Sequence, residues 1–371
     1  MNETITPAQF FHDVYDLSDV WDMLWNADSI GRIAVSVTPN AGRIESIRKR
    51  ISFELDASVE KPDSWTTQWE TALLDQLYDI AARIELQSDY CPSLYVPRFV
   101  HGQSQGITDL FGARVEEQFD GNFFTYPLPA APTFIDDIEP KPLDSSVYWG
   151  AAEWTKYAQK AIDGALLITN PVMTGPIDTA NYLLGSTVLM EWIYTEPDTV
   201  HRLLAKVTDT IICMVHALRN AGGMTHPLHF ACVRGGFDMC SEVRSLLSKS
   251  VYEEFEAPYL RRIGEACGPY GIHSCGSWER TIPSAHEDSN LRAINGQIRE
   301  NDLQMMCDLA TGKVMLSIGP SVNVHTRFTW LDMESFYRHI IETVPDSQPF
   351  EVNLAEDDLP LWEALHQEIK G

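Results

Sequence analysis

Two periodicities divide the chain. From Thr6 to about Ser88 the apolar residues mostly recur at helical spacing, as in Phe10, Phe11, Val14, Val20 and Leu24 and later in Leu73, Leu74, Leu77, Ile80 and Ile84. The β-branched alternation of Gly31–Val37 interrupts this run and predicts one short strand. Between Pro92 and about Pro140, prolines, glycines and aromatics are dense, which predicts one or two strands joined by long ordered loops. Beyond Pro140 a rhythm of strand and helix sets in. The predicted strands are Gly164–Asn170, Pro227–Val233, Gly271–Cys275, Leu291–Asn295, Val314–Ile318 and Phe350–Leu354. Helical periodicity fills Tyr182–Tyr194, Val200–Ala221, Val251–Cys267, Ile298–Ala310 and Met333–Thr343. The six late strands, with one or two earlier ones, approach the eight of a closed parallel barrel. The expected fold is therefore α/β, a (β/α)8 TIM-type barrel over residues 91–371 with an N-terminal helical extension, residues 1–90, packed on it. An open doubly wound sheet is the alternative, but no Gly-x-Gly-x-x-Gly follows a predicted strand.

Composition narrows the function classes. A chain of 371 residues that is 44% hydrophobic can bury a large core, and its 27 basic and 53 acidic residues leave a net charge of -26. Such a surface repels nucleic acid and anionic lipid headgroups. No apolar run approaches the length of about 20 residues that spans a bilayer, and Met1-Asn2-Glu3-Thr4 does not resemble a signal region, so a cytoplasmic location is expected. The seven cysteines are an odd, scattered set, better read as reduced thiols than as a disulfide framework.

One hexapeptide concentrates candidate chemistry. In Gly271-Ile272-His273-Ser274-Cys275-Gly276, an extended backbone sends the His273 imidazole and the Cys275 sulfur to the same side. An imidazole and a thiolate are natural zinc ligands, and three protein ligands with one open position mark a catalytic ion. A buried thiol beside a hydrogen-bonded histidine is the plainer reading of the same residues.

Several segments resemble the uroporphyrinogen decarboxylase superfamily in order and spacing. Thr174-Gly175-Pro176-Ile177-Asp178-Thr179-Ala180-Asn181-Tyr182 is similar to its Gly-Pro segment after a strand. Gly236-Phe237-Asp238, Leu246–Phe255 and Pro258–Ile263 are similar to the stretch leading into the next strand, and the His273/Cys275 hexapeptide follows. The resemblance runs from about Pro140 to the C-terminus. It implies one of two activities. True decarboxylases carry an N-terminal arginine loop and a C-terminal Asn-Leu-Gly-His; here Asn40-Ala41-Gly42-Arg43 lacks the loop's other basic residue, and Asn353-Leu354-Ala355-Glu356 lacks the histidine. The zinc methyltransferases of the superfamily move methyl groups between corrinoid proteins and thiols such as coenzyme M, and their His-x-Cys-Gly matches His273 and Cys275. Their third ligand falls on Glu356, with Glu351, Asp357 and Asp358 as rivals.

The resemblance thus implies a zinc-dependent, corrinoid-linked methyltransferase with His273, Cys275 and Glu356 on the metal. A decarboxylase or other lyase acting on a tetrapyrrole or other carboxylate is the alternative. Catalytic roles are expected of Asp238, Tyr182 and Glu279, and substrate contacts of Asp178 and Arg234. Asp178 is equally placed to cap a helix, Tyr182 to lie in the core, and Glu279 to be a solvated acid. His226 and His229, before Cys232, form a weaker alternative metal cluster, and Cys240, Cys267 and Cys307 are expected to be inert. No Asp-x-His-x-x-Gly cobalamin segment is present, so the corrinoid would ride on a partner protein, with a small-molecule methyl donor or acceptor in the barrel mouth. A homodimer is compatible with the sequence, which does not decide the oligomeric state.

Overall fold

Eight short parallel strands carry the fold: β1 (Ala34–Thr38), β2 (Ser93–Leu94), β3 (Leu167–Thr169), β4 (Phe237–Cys240), β5 (Tyr270–His273), β6 (Leu291–Gln297), β7 (Met315–Gly319) and β8 (Phe350–Ala355). The computed structural model describes residues 3–101, 107–118, 123–171, 173–222, 225–319 and 332–371. Six strands pair in the order β1-β8-β7-β6-β5-β4, and β2 pairs with β3, whose other edge takes the two-residue parallel strand Thr225–His226. Backbone hydrogen bonds close the two seams of the (β/α)8 barrel. Cys240 N–H donates to Met173 O and Gly175 N–H to Cys240 O, both at 2.7 Å, and Asp89 N–H donates to Val35 O at 2.7 Å.

The alternation along these strands separates two environments. Met239, Ile272, Ile294, Leu316 and Val352 face outward into the main hydrophobic core under the helices. The inward positions are small or polar, apart from Met315. In register they form one row of Cys240, His273, Asn295, Ser317, Glu351 and Ala34, and beneath it a row of Asp238, Gly271, Ala293 and Met315. Barrels of this kind usually fill that space with branched apolar side chains. Here the backbone of Leu228–Val233 runs into it instead.

Phe230, Cys232 and Val233 pack with Ala34, Ala293 and Met315, and with Leu24 and Trp25 of the helix Val20–Trp25, in a separate apolar cluster at the barrel floor. A Cβ on Gly271 would lie 2.2 Å from the Phe230 ring, so only glycine admits the plug at that point. A buried irregular segment must satisfy its backbone amides without a strand partner. The Asp238 carboxylate accepts from Leu228 N–H at 2.8 Å and His229 N–H at 3.2 Å. Glu351 does the same for Ala231 at 3.0 Å and Cys232 at 2.7 Å.

This corrects the expected strand Pro227–Val233. Its continuous apolar run reflects burial inside the barrel, and β4 follows it in Phe237–Cys240. Asp238 therefore sits within a strand. The boundary at residue 90 also moves, because β1 lies inside the expected helical extension and is hydrogen-bonded along β8. Helical expectations hold for Met333–Thr343 and for Val200–Ala221, which falls within Pro197–Gly222. Tyr182–Tyr194 is broken at Gly185, whose φ of 81° ends Pro176–Leu184 before Ser186–Thr195 begins. Val251–Cys267 splits at Glu256, because Pro258 starts a new helix at Ala257. Ile298–Ala310 begins only at Leu303, capped by the Asp302 carboxylate.

The plug makes a coupled packing prediction. G271A is expected to destabilise the protein by about 1–3 kcal/mol through overpacking, and F230A by about 3–5 kcal/mol through cavity formation. Denaturant unfolding of the double variant should show less than the sum, because the cavity receives the methyl group; strict additivity would contradict the contact.

Candidate metal centre

The C-terminal ends of β4 and β5 and the turns after them bring four donor side chains together, and the plug adds a fifth, His229. His273 ends β5, where its Nε2 lies 3.3 Å from Cys275 Sγ and 3.3 Å from Glu242 Oε1. Glu242 Oε2 accepts from Cys275 N–H at 2.8 Å, so one carboxylate fixes both residues of the His-x-Cys pair. Glu242, His273 and Cys275 offer donor atoms within 4.8 Å of one another. His229, Cys240 and His273 meet the same condition.

The histidine's orientation is determined from behind. His273 Nδ1 lies 2.5 Å from Asn295 Oδ1, and Asn295 Nδ2 donates to Ser317 O and Oγ, both at 2.9 Å. Those two donations leave the amide oxygen facing the imidazole, which places the ring proton on Nδ1 and directs Nε2 into the cluster. Burial alone lowers the His273 pKa, but hydrogen bonds to Cys275, Glu242 and Asn295 outweigh it and raise it to about 10. Glu242 is correspondingly held below the usual carboxylate range: burial pushes it up, and the His273 and Cys275 contacts more than offset this.

The expected site residues fall into distinct places. Asp178 is buried and does not cap its own helix; its oxygens accept Glu242 N–H at 2.7 Å and Val243 N–H at 2.8 Å. Burial raises its pKa to about 7, against those two hydrogen bonds. Tyr182 is half-buried, and burial, reinforced by the charges of Asp178, Cys240 and Glu242, raises its hydroxyl to about 12. Asp238 holds the plug amides and His229 Nδ1. Glu279 is exposed, with its N–H on Ser277 Oγ, away from the cluster. Arg234 pairs with Asp22 through Nε at 2.9 Å and donates to Tyr15 O at 3.3 Å, so it does not meet Asp238.

Glu356 is not brought to the pair. Its carboxylate accepts from Arg43 Nε at 2.7 Å and Asn40 N–H at 2.9 Å, so Asn40 and Arg43 close on the end of β8. The rivals are also engaged: Glu351 on the plug, Asp357 with Asn40 Nδ2 at 3.1 Å, and Asp358 with the Tyr337 hydroxyl at 2.9 Å. His226 is buried, and burial lowers it to about 4. The residues that sequence reasoning missed are Glu242, Asn295, His229 as a neighbour of His273, and Cys240. Their signal was the period of two through Asp238, Cys240 and Glu242, which puts all three on one face of an extended segment.

Relatives place this geometry in context. The family described as uroporphyrinogen decarboxylase (URO-D) matches residues 129–302. A methylated-thiol--coenzyme M methyltransferase of Methanosarcina mazei is 29% identical over 126 residues, covering 34% of this chain and 32% of the relative, so the match spans about a third of that protein. The solved structure of a methyltransferase from Methanosarcina mazei shares the fold at a TM-score of 0.63 and 12% identity, over 94% of this chain and 97% of that one.

The metal-free cluster makes a titration prediction. A folded-state pKa above the unfolded value means that His273 contributes stability fully below about 6.5, which is lost as pH rises through about 10. In E242Q the His273 pKa, followed by NMR on the metal-free protein, is expected to drop toward 6.5; an unchanged value would contradict the assigned contact.

The family match over residues 129–302, the barrel and the His-x-Cys segment agree, and the chain is similar over that stretch to the uroporphyrinogen decarboxylase family and, over about a third of its length, to a methyltransferase.

Proposed function

We propose that the protein is a zinc-dependent methyltransferase that moves a methyl group between a corrinoid carried by a partner protein and a small-molecule thiol or methylated substrate. The observation that carries this reading is the convergence of Glu242, His273 and Cys275 at the C-terminal end of β5. Barrels of this class place their catalytic residues at that end. Carboxylate, imidazole and thiolate form an acceptable zinc set, and three protein ligands leave a coordination position open. Bound there, zinc supplies Lewis acidity, which turns a thiol into thiolate or polarises a methylated heteroatom.

The chain's own residues supply positioning. Asn295 sets the His273 tautomer, and Ser317 sets Asn295. Glu242 orients His273 and Cys275 together, and Asp178 holds the Glu242 backbone. The Tyr182 hydroxyl stays protonated at neutral pH and serves as a hydrogen-bond donor at the mouth. The alternative decarboxylase loses support from two contacts. Arg43, the counterpart of the carboxylate-gripping arginine, is paired with Glu356, and Asp178 has both oxygens on backbone amides.

Protein made in zinc-sufficient medium is expected to carry one zinc per chain and to transfer a labelled methyl group with a methylcorrinoid. C275S should lower that rate by about 100-fold or more, since removal of the thiolate changes the ion's charge and geometry. N295A should weaken zinc by about 10–100-fold, whereas E356Q should leave zinc binding intact. Protein without stoichiometric metal, together with an unchanged C275S rate, would overturn the proposal.

A further inference from the structure

The second donor set is not accounted for by the proposed zinc triad. His229 stands on the plug, and its ring stacks on that of His273 with centroids 4.4 Å apart and planes 11° off parallel, so one ring must turn out of the stack for both nitrogens to face a single ion. Its Nδ1 is bound to the buried Asp238 carboxylate, which also holds the His229 backbone N–H. That is how proteins prepare a ligating imidazole: a carboxylate takes one ring nitrogen and leaves Nε2 for the metal. Cys240 ends β4 as the register partner of His273, and the His229, Cys240 and His273 donor atoms all lie within 4.8 Å of one another.

We infer that the barrel mouth has a second, inner station for a borderline divalent metal ion, held by His229, Cys240 and His273. This goes beyond the zinc triad and rests on that reading only for the class of ion. The two stations are mutually exclusive. His273 Nδ1 is engaged by Asn295, so one nitrogen, Nε2, remains for either ion. The stations also differ in charge. Glu242, Cys275 and neutral His273 surround the outer ion with two negative charges, whereas His229, His273 and the Cys240 thiolate surround the inner one with one. An ion at the inner station leaves Cys275 and Glu242 free, with Asp238 as the buried acid behind it.

The test titrates metal-free protein with Co2+ and reads stoichiometry and the thiolate-to-cobalt charge-transfer absorption. Wild type is expected to bind one equivalent. C275A should still bind one equivalent with thiolate absorption, now from Cys240, and C275A/C240S and C275A/H229A should lose it. Loss of thiolate absorption in folded C275A would overturn the inner station while leaving the outer triad standing. Two equivalents in the wild type would overturn mutual exclusion, and no binding in the wild type would overturn both the inner station and the zinc reading. If C275A fails to fold, E242Q replaces it: C240S should weaken Co2+ at least tenfold in the E242Q background and little in the wild type. Equal effects in both backgrounds would overturn the proposal.

Discussion

The Leu228–Val233 segment enters the barrel because two buried carboxylates accept its amide hydrogens. Asp238 takes Leu228 and His229, and Glu351 takes Ala231 and Cys232. A buried amide without an acceptor costs about 1–3 kcal/mol, so four such groups would exclude an irregular segment from this space. The same contacts explain the polar interior. β4 and β8 carry acids inward because the plug requires acceptors there, and β1, β5 and β6 carry Ala34, Gly271 and Ala293 inward because the plug requires room. The arrangement also fixes His229, stacked on His273 at the upper edge of the plug.

From this support to the chemistry is a short step. Asn295, Glu242 and Asp238 each determine how a donor presents itself, and each is itself held by backbone or side-chain partners. His273 and Cys240 end strands, and Glu242, Cys275 and His229 lie in adjoining segments tied down by hydrogen bonds, which holds the donors in place. Glu242 beside His273, with the buried Asp238 on the neighbouring His229, also makes the site electronegative. In the metal-free protein His273 is held as an imidazolium, and the proposed divalent cation would replace that proton.

The barrel was legible because its outward strand faces and its helices follow simple periods, as Met333–Thr343 and Leu291–Gln297 show. The pair His273 and Cys275 was legible for the same reason, through the period of two in a strand. Other features depend on contacts between residues far apart in sequence. The Pro227–Val233 run has the composition of a strand, and only its passage between Ala34, Gly271 and Ala293 makes it a plug. β4 was obscured because Phe-Asp-Met-Cys alternates polar toward an interior that is usually apolar. Glu356 followed a family pattern at the last strand, but Arg43, more than three hundred residues earlier in the chain, neutralises it. The carboxylate beside the pair is Glu242, brought there by the turn after β4 and held by Asp178 from the helix Pro176–Leu184.

Zinc K-edge X-ray absorption of the loaded protein tests the central claim most directly. The account predicts one sulfur at about 2.3 Å, with nitrogen and oxygen at about 2.0–2.2 Å, and outer-shell scattering from a single imidazole. A first shell without sulfur would contradict it.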